Sequence, residues 1–521
     1  MDWNGNANHP QRGSMTIGAK EVYAGTVTPS KASSVTLDIE GTATNATISA
    51  AAASSIVVSA VAKDSTVNLV AKKATDLNVT AEKSLTLLPG GSDLSALESL
   101  TVNTGGTFAY TNALAAISSV TLEGSGSVNL DNLGAATQNN YGITLAATGL
   151  STNNATGSNS VSLKVGSIST DGTDISVNAA GVLGAVNIGA IDSVGSTATT
   201  AGNVTVNLDG TGGNINLTSI KGNDVTVYAA GALGTTNTFG TITVEGSSLT
   251  FTGVYLASNT VTVAAEGKSF TGKLTGGLSN DSFTITGASD TVTYTLSGDL
   301  GIQGTGADSI ALNAAAGASS EKIDLSGLTG VESATITAGT SADTITIGDG
   351  IGTAKIYGGN GADTYKLGAG TDLIEYTATT VSALTAEVGS GETVSGFTSG
   401  TDSIVFAASA IFSTSANTNA AALTAAASGS ILTMAAQVYE LTAGTVANAS
   451  SSGVVATFLS NSAYTIAGTS SVVFTVTDGT DSYVWLCANN AATAVSAGEL
   501  TLLDKVSGVT AFTNGSDFKI L

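Results

Sequence analysis

A nine-residue spacing of aspartates between residues 276 and 375 constrains the fold of this chain more than any other feature. In each unit a turn-forming stretch ends at an Asp in the sixth position, and a large apolar residue usually follows two positions later. A register shared over so many units indicates a repeated structural unit rather than isolated turns. The aspartates in the sixth position are Asp281, Asp290, Asp299 and Asp308 in a first block, and Asp343, Asp363 and Asp372 in a second.

The second block is the more regular of the two, because glycines occupy the turn positions or lie next to them. Two residues are inserted after its first unit, at 347–348, and Ala354 stands where the spacing would place an aspartate. The first block replaces several glycines with Ser or Ala and is therefore partly degenerate. The glycines of the second block are Gly358, Gly359, Gly361, Gly368 and Gly370.

The spacing has a physical explanation in a coil built from two nine-residue units. Six residues form a turn whose glycines allow positive φ, and three form a strand with one inward apolar side chain. Equivalent turns would stack about 18 residues apart, so a calcium ion could lie between an Asp of one turn and carbonyl oxygens of the next. The alternative is a series of ordinary Gly-Asp turns without metal.

This geometry predicts which aspartates stack. The expected pairs are Asp281 with Asp299, Asp290 with Asp308, and Asp343 with Asp363. Asp372 would face Ala354, so its site should be weak or supported by Asp349.

Upstream of the aspartate blocks, residues 16–275 repeat short apolar-x-apolar triplets followed by Gly, Asn, Ser or Asp. Examples are Val67/Leu69, Leu85/Leu87 and Val204/Val206. Such period-two alternation predicts strands. A solenoid and a set of sandwiches are both compatible with it. The solenoid is favoured by the 3 Pro and the 5% aromatic content, and by continuity with the stricter repeat.

The charge balance excludes one class of partner and favours another. The chain has 16 basic and 39 acidic residues, a formal net charge of −23. Nucleic-acid binding requires clustered Lys and Arg, so it is not expected. Acidic groups this numerous are readily neutralised by calcium, which prefers carboxylate and carbonyl oxygens.

Signals for membrane insertion and for Sec-type export are absent from the sequence. No run of 18 strongly apolar residues occurs, and the N-terminus lacks a basic segment followed by an apolar one. Residues 1–15 are interpreted as an added or disordered leader outside the fold.

Common hydrolase chemistry is not expected. The only histidine is His9, in the leader, so neither a zinc-binding H-E-x-x-H motif nor a Ser-His-Asp triad can be formed in the folded region. The single cysteine, Cys487, is interpreted as a small buried apolar side chain beside Trp485. The chain is therefore predicted not to be an enzyme, and an exported hydrolase with an unrecognised active site is the alternative.

The nine-residue pattern resembles the repeats-in-toxin (RTX) motif G-G-x-G-x-D-x-U-x, in which U is a large apolar residue. Two further segments carry resemblances. Residues 391–406 look like the closing segment of RTX β-rolls, and the C-terminus from residue 472 is similar to the terminal domain of calcium-dependent surface-layer proteins of Gram-negative bacteria. The U positions hold Phe283, Val292, Ile310, Ile345, Ile356, Tyr365 and Ile374.

The resemblance implies a fold and a function. It implies an all-β chain with a β-rich region at 16–275, a calcium-binding parallel β-roll at 276–406, and a C-terminal β-domain at 407–521 with an uncleaved type I secretion signal. The protein would be secreted, would bind Ca2+ through the aspartates and glycines named above, and would assemble with itself into a surface layer at the cell surface.

Two questions of partner and class are left open by the motif. Lysines such as Lys63, Lys72, Lys73 and Lys83 could contact lipopolysaccharide, or could be solvated strand edges that discourage aggregation. An RTX-type secreted adhesin or biofilm-matrix protein is the alternative to a lattice protein, because the same motif occurs in both.

Overall fold

The computed structural model of the protein describes residues 13–21, 23–137, 141–150, 161–196, 200–254, 256–288, 291, 293–301, 307–314, 319–407, 422–432, 437–466, 471–488, 494–513 and 515–520. These residues form two compact units. The first contains the described residues up to Ala264 together with Thr275–Asp281, and the second contains Ala265–Leu274 and the described residues from Ser282 onward.

The first unit consists of two sheets of parallel strands, and the chain passes repeatedly from one sheet to the other. In sheet 1 each strand pairs in parallel with the next: β1 Gly13–Ala19, β3 Ala32–Ile39, β5 Ser55–Ala60, β7 Asp76–Ala81, β9 Ser99–Thr104, β11 Ser119–Gly124, β14 Ile143–Gly149, β17 Ile175–Asn178, β19 Val204–Asn207, β21 Val225–Tyr228 and β23 Ser248–Thr252.

Sheet 2 of the first unit is also parallel. Its strands are β2 Thr26–Val27, β4 Ala46–Ser49, β6 Ser65–Val70, β8 Leu85–Leu87, β10 Thr107–Tyr110, β12 Ser127–Leu130, β13 Leu133–Gly134, β15 Leu163–Val165, β16 Ile168–Ser169, β18 Val186–Asp192, β20 Ile215–Gly222 and β22 Thr241–Val244. Strands β24 Thr260–Ala265 and β25 Ser269–Thr275 each include residues of both units.

Alternating burial explains why these segments form strands. In β7 the side chains of Leu77, Val79 and Ala81 are buried and the residues between them are exposed. Leu77 pairs with Leu100 in the next coil, so apolar side chains of equivalent residues lie above one another inside the coil. The predicted parallel β-solenoid is confirmed, and the strand pairing is not that of sandwiches, whose sheets are antiparallel.

The second unit repeats this two-sheet arrangement. Its sheet 1 contains β27 Thr293–Asp299, β29 Lys322–Thr329, β31 Thr344–Thr346, β33 Thr364–Lys366 and β35 Glu392–Ser395, paired in that order. Its sheet 2 contains β26 Ser282–Gly287, β28 Ser309–Asn313, β30 Val331–Thr337, β32 Ile351–Tyr357, β34 Thr371–Tyr376 and β36 Ser403–Phe406.

The end of the chain contributes strands to both sheets of the second unit. β43 Leu500–Val506 pairs with β35, and β44 Phe518–Ile520 pairs with β36. Antiparallel strands β41 Ser471–Thr477 and β42 Ser482–Ala488 connect to β43. The remaining elements are β37 Ala422–Ala426, β38 Ile431–Leu432, β39 Gln437–Leu441, β40 Thr465–Ile466, helix α1 Val381–Val388, helix α2 Ser452–Asn461 and the 3-10 turn Ala497–Glu499.

The C-terminal strands enclose a core of their own. Trp485 is 2% exposed and donates its indole N–H to the carbonyl of Ala449 at 3.1 Å. Val455 and Leu459 of α2 pack into the same core. Cys487 is also buried there, which confirms its interpretation as a small apolar side chain.

Two further findings concern the predicted N-terminal leader and membrane-spanning helices. Of the leader predicted for residues 1–15, only residues 13–15 are described, and they begin β1. In the described part of the chain, no helix has the length and apolarity needed to cross a membrane.

The predicted 18-residue stacking of the first aspartate block is wrong. β26 pairs with β28 so that Ser282 lies opposite Ser309, which makes this coil three nine-residue units long rather than two. Between them in the chain lies β27, which belongs to the other sheet, where Asp299 lies opposite Thr329. Asp281 and Asp299 therefore do not form the expected pair.

Candidate cation-binding site in the second unit

Five acidic side chains lie at equivalent positions of successive coils in sheet 1 of the second unit. Strand register aligns them, since Lys322 pairs with Thr344, Thr344 with Thr364, Thr364 with Thr393, and Glu392 with Asp504. In-register parallel strands place equivalent side chains on the same side at a spacing of about 4.8 Å. We call these residues the first column: Glu321, Asp343, Asp363, Glu392 and Asp504.

Main-chain hydrogen bonds hold the first column in place. Asp343 accepts the backbone N–H of Glu321 at 2.7 Å and that of Gly339 at 3.1 Å. Asp363 accepts the N–H of Asp343 at 2.8 Å, and Glu392 accepts the N–H of Asp363 at 2.6 Å. Each of these carboxylates therefore accepts a hydrogen bond from the equivalent residue of the preceding coil. The predicted stacking of Asp343 on Asp363 is present in the structure.

A second column, Asp372, Asp402 and Asp517, follows sheet 2. Asp402 accepts the N–H of Asp372 at 2.9 Å and that of Thr398, four residues before it, at 2.7 Å. Asp372 accepts the N–H of Gly368, also four residues before it, at 3.0 Å. Asp517 accepts N–H groups from Gly400 at 2.6 Å and Thr513 at 2.7 Å.

Ala354 marks the end of the second column. It lies directly opposite Asp372 in the register of β32 and β34, as predicted. Asp349 is exposed in its turn. The neighbour of Asp372 on its other side is Asp402, in the coil that follows rather than the coil that precedes.

The five predicted glycines lie in the two turns that lead to Asp363 and Asp372. Gly359 shows why glycine is needed: its φ is +89°, and a Cβ there would overlap the carbonyl oxygen of Gly339 in the preceding coil. The glycines thus allow the coils to approach closely, which brings the carboxylates into reach of the preceding main chain. The set is Gly358, Gly359, Gly361, Gly368 and Gly370.

The aspartates of the first block are not equally buried. Asp281 is 1% exposed and accepts N–H groups from Asn259 at 2.7 Å and Gly277 at 2.6 Å. Asp308 is buried, and its own N–H donates to Glu332 at 2.6 Å. Asp299 is exposed at the end of β27. Asp290 lies outside the described residues.

Burial raises the pKa values of the five carboxylates of the first column and of Asp372 and Asp402 in the second. Burial is the largest cause in every case, and neighbouring carboxylates add to it for Glu321, Asp363, Glu392 and Asp372. The pKa rises to about 7 for Glu321, Asp363 and Asp504, to about 10 for Glu392, and to about 6 for Asp372. Burial also raises the pKa of Asp343 and Asp402.

No ion pair between described residues neutralises these columns. Within the described part of the second unit, ion pairs join Lys355 to Glu375 at 3.3 Å and Lys505 to Asp481 at 3.0 Å. Neither pair includes a column member. The carboxylates must therefore bind protons or another cation to be stable in this environment.

The available oxygen atoms fit a hard cation such as calcium. Among the described residues, four buried carboxylate oxygens have no hydrogen-bond partner: Glu321 Oε2, Asp372 Oδ1, Glu392 Oε1 and Asp504 Oδ2. Calcium takes six to eight oxygen ligands and accepts main-chain carbonyls among them. In the described ranges, no group of three or more acidic, His or Cys side chains is arranged to hold a metal ion.

Several column members were missed by the nine-residue count because they lie outside regular repeats. A local signal was nevertheless present. Glu321, Asp343, Asp363 and Glu392 are each followed two positions later by an inward apolar or aromatic residue, and Asp372 and Asp402 share the sequence Gly-Thr-Asp. Asp504 is likewise followed two positions later by a buried apolar residue, Val506, but no repeat surrounds it. The members not predicted are Glu321, Glu392, Asp402, Asp504 and Asp517.

Comparison with known proteins does not assign the chain to a family. No protein-family model matches it, and a search of curated proteins finds no relative. The RTX and surface-layer resemblances therefore stay predictions from motifs, and function has to be inferred from the site.

Proposed function

We propose that this protein is a non-enzymatic, calcium-dependent structural protein that is exported and assembles with itself into a layer at the cell surface. Support comes from the two columns of buried carboxylates, which are held in stacked coils with no basic partner among the described residues. The observation that carries the proposal is the orphaned oxygen of Asp372 and of Glu321, each fully or almost fully buried.

The role of calcium in this proposal is to supply the positive charge that the columns lack. Asp343, Asp363 and Asp372 would hold it, with carbonyl oxygens of the neighbouring turns. The carboxylates would then stay ionised without repelling one another, while their main-chain hydrogen bonds keep successive coils in register. Folding of the second unit and calcium binding would accordingly be coupled.

Export and attachment are further parts of the proposal. The motif resemblance supports type I secretion, in which the chain would fold outside the cell, where calcium is plentiful. Assembly would join copies of the chain, and lipopolysaccharide is the proposed surface partner. The net charge of −23 favours cation bridging over direct contact between two copies.

The test is calcium addition to the purified, calcium-stripped protein. We expect a gain of β-structure by circular dichroism and, at higher protein concentration, ordered two-dimensional sheets in negative-stain micrographs. Chelator should reverse both changes. Calcium-independent folding would contradict calcium dependence. Calcium-induced folding to monomers without sheets would contradict the layer and favour the adhesin alternative.

A further inference from the structure

A group of buried ionisable side chains in the described part of the second unit lies where the last strands of the chain join the coil stack. Glu392 of β35 and Asp504 of β43 are in-register neighbours of parallel strands. Both are buried, at 1% and 0% exposed. The residues two positions further on, Val394 and Val506, are also buried and paired, so the two carboxylates point toward the interior with them.

Each carboxylate of this pair uses only one of its two oxygens. Glu392 Oε2 accepts the N–H of Asp363 at 2.6 Å, and Asp504 Oδ1 accepts the hydroxyl of Tyr376 at 2.6 Å. Glu392 Oε1 and Asp504 Oδ2 have no partner. Two orphaned oxygens on side chains about 4.8 Å apart at their backbones form a ready-made pair of ligands.

The surroundings of the pair are polar, and no ion pair between described residues joins a basic side chain to Glu392 or Asp504. The hydroxyl of Tyr365 donates to Asp363 at 3.2 Å, so two phenols from opposite sheets reach the same group of carboxylates. Lys505, which follows Asp504, is engaged with Asp481 instead. Burial raises the pKa of Glu392 to about 10, with Asp363 and Asp504 contributing further repulsion.

We propose that Glu392 and Asp504 form a divalent-cation site of the calcium class, separate from the nine-residue turns and built where the C-terminal strand docks. The two orphaned oxygens are its ligands, and their hydrogen-bonded partner oxygens fix the orientation of both carboxylates. The site is incomplete without β43, so the last strands of the chain and the coil stack share one ion. It rests on the proposed preference of this protein for calcium, but not on binding at the turns.

The test counts bound calcium per chain by equilibrium dialysis of the full-length protein near neutral pH. Glu392→Gln and Asp504→Asn keep the oxygen that is hydrogen bonded and replace the orphaned one with an amide. Each should lose one bound ion per chain. The matched control is Glu375→Gln, which alters a buried carboxylate already paired with Lys355 and should keep the full count.

Terbium luminescence provides a second readout on protein that folds normally. Excitation of tyrosine should give terbium emission, because the hydroxyl of Tyr376 contacts Asp504. Tyr376→Phe should lower that emission. This readout does not require either carboxylate variant to fold.

The outcomes separate this site from the proposed function. Loss of an ion in Asp343→Asn but not in Glu392→Gln or Asp504→Asn overturns the site and leaves calcium at the turns. Loss of a bound ion in Glu392→Gln and in Asp504→Asn, but not in Asp343→Asn, supports the site and contradicts binding at Asp343. An unchanged count in all three, with Glu392→Gln more stable than wild type in chelator, shows that the pair holds a proton and overturns the inference.

Discussion

At the residue scale, the buried carboxylates have two roles. A neutral side chain could accept the main-chain hydrogen bonds equally well, but it could not supply negative charge to a bound cation. Accepting a main-chain N–H needs only an oxygen. In the first unit Asn259 accepts the N–H of Val254 at 2.8 Å, and Asn203 accepts that of Asp224 at 3.3 Å. A buried negative charge adds a cost that these amides avoid. Carboxylates at such positions are therefore favourable when a cation is bound.

Replacement of single aspartates by Asn should separate the two roles in chelator near neutral pH. Asp372→Asn removes charge and keeps the bond from Gly368, so its melting temperature should rise. Asp343 uses both oxygens, so Asp343→Asn leaves one N–H without an acceptor and should cost about 1–3 kcal/mol. Thermal melting measures both.

The matched control for these two variants is Asp349→Asn, at an exposed turn position. It should change the free energy of unfolding by less than about 0.5 kcal/mol. If the melting temperatures of Asp372→Asn and Asp343→Asn shift in the same direction, the orphaned oxygen of Asp372 has no energetic consequence. With calcium present, Asp372→Asn should lose its advantage.

The pH dependence of stability in chelator follows from the raised pKa values. A carboxyl whose folded pKa lies above its unfolded pKa contributes stability that is complete below the unfolded value, near pH 4, and is lost as pH rises through the folded value. For Asp363 and Asp504 that window extends to about 7, and for Glu392 to about 10. The melting temperature of the second unit should therefore fall steadily from about pH 4 to pH 8.

Calcium should weaken this dependence, because it replaces the protons that stabilise the columns at low pH. Differential scanning calorimetry across the pH range, with and without calcium, is the measurement. A calcium-free melting temperature that rises with pH would mean that the columns are ionised and stable without any cation.

At the element scale, the turns determine how closely one coil approaches the next. The register of sheet 1 places Thr344 opposite Thr364, and the N–H of Thr364 donates to the carbonyl of Asp343 at 2.8 Å. The bond is possible only because the turn before it carries no side chain at Gly359. The same glycine turn therefore allows both the close spacing of the coils and the stacking of their carboxylates.

Gly359→Ala should consequently destabilise the second unit. The new Cβ meets a backbone carbonyl that cannot move without breaking the sheet, and φ is positive, which alone costs about 1–2 kcal/mol for an L-residue. Gly453→Ala is the control: it lies in α2 with nothing within 4 Å of a Cβ, and should be neutral or slightly stabilising. Urea unfolding compares them. Equal midpoints for the two variants would contradict the close approach.

At the scale of the whole molecule, the two units differ in the chemistry of their buried polar groups. In the described residues of the first unit these are neutral except for Asp281: Ser65, Ser92, Thr104, Thr170, Ser193, Thr211 and Asn259. In the second unit most are acidic, including both columns, Asp308, Glu375 and Glu387. Dependence on cations should therefore reside in the second unit.

Hydrogen exchange can test this division. Chelation near neutral pH should lower amide protection in β31, β33 and β35 of the second unit by at least tenfold, and should leave β5, β7 and β9 of the first unit unchanged. Mass spectrometry of peptides resolves both regions in one sample. Loss of protection in both units to the same extent would show that cations stabilise the molecule as a whole.

Much of the fold was predictable because its signals are local. Alternating apolar residues such as Leu77 and Val79 predict strands directly, and the glycines around Asp363 predict the tight turns. Asp343 and Asp363 were paired correctly because two nine-residue units and a short insertion separate them. Asp281 and Asp299 were not, because one coil in that block takes up three units.

The sequence by itself determined that the chain forms stacked parallel strands with acidic turns, since side-chain alternation and turn chemistry act over a few residues. Only the tertiary structure decided which carboxylates share a column. Glu392 and Asp504 come together because a strand from the end of the chain pairs with β35. The pairing of two strands so distant in sequence depends on long-range packing and on the length of the intervening chain. A local sequence pattern does not predict either.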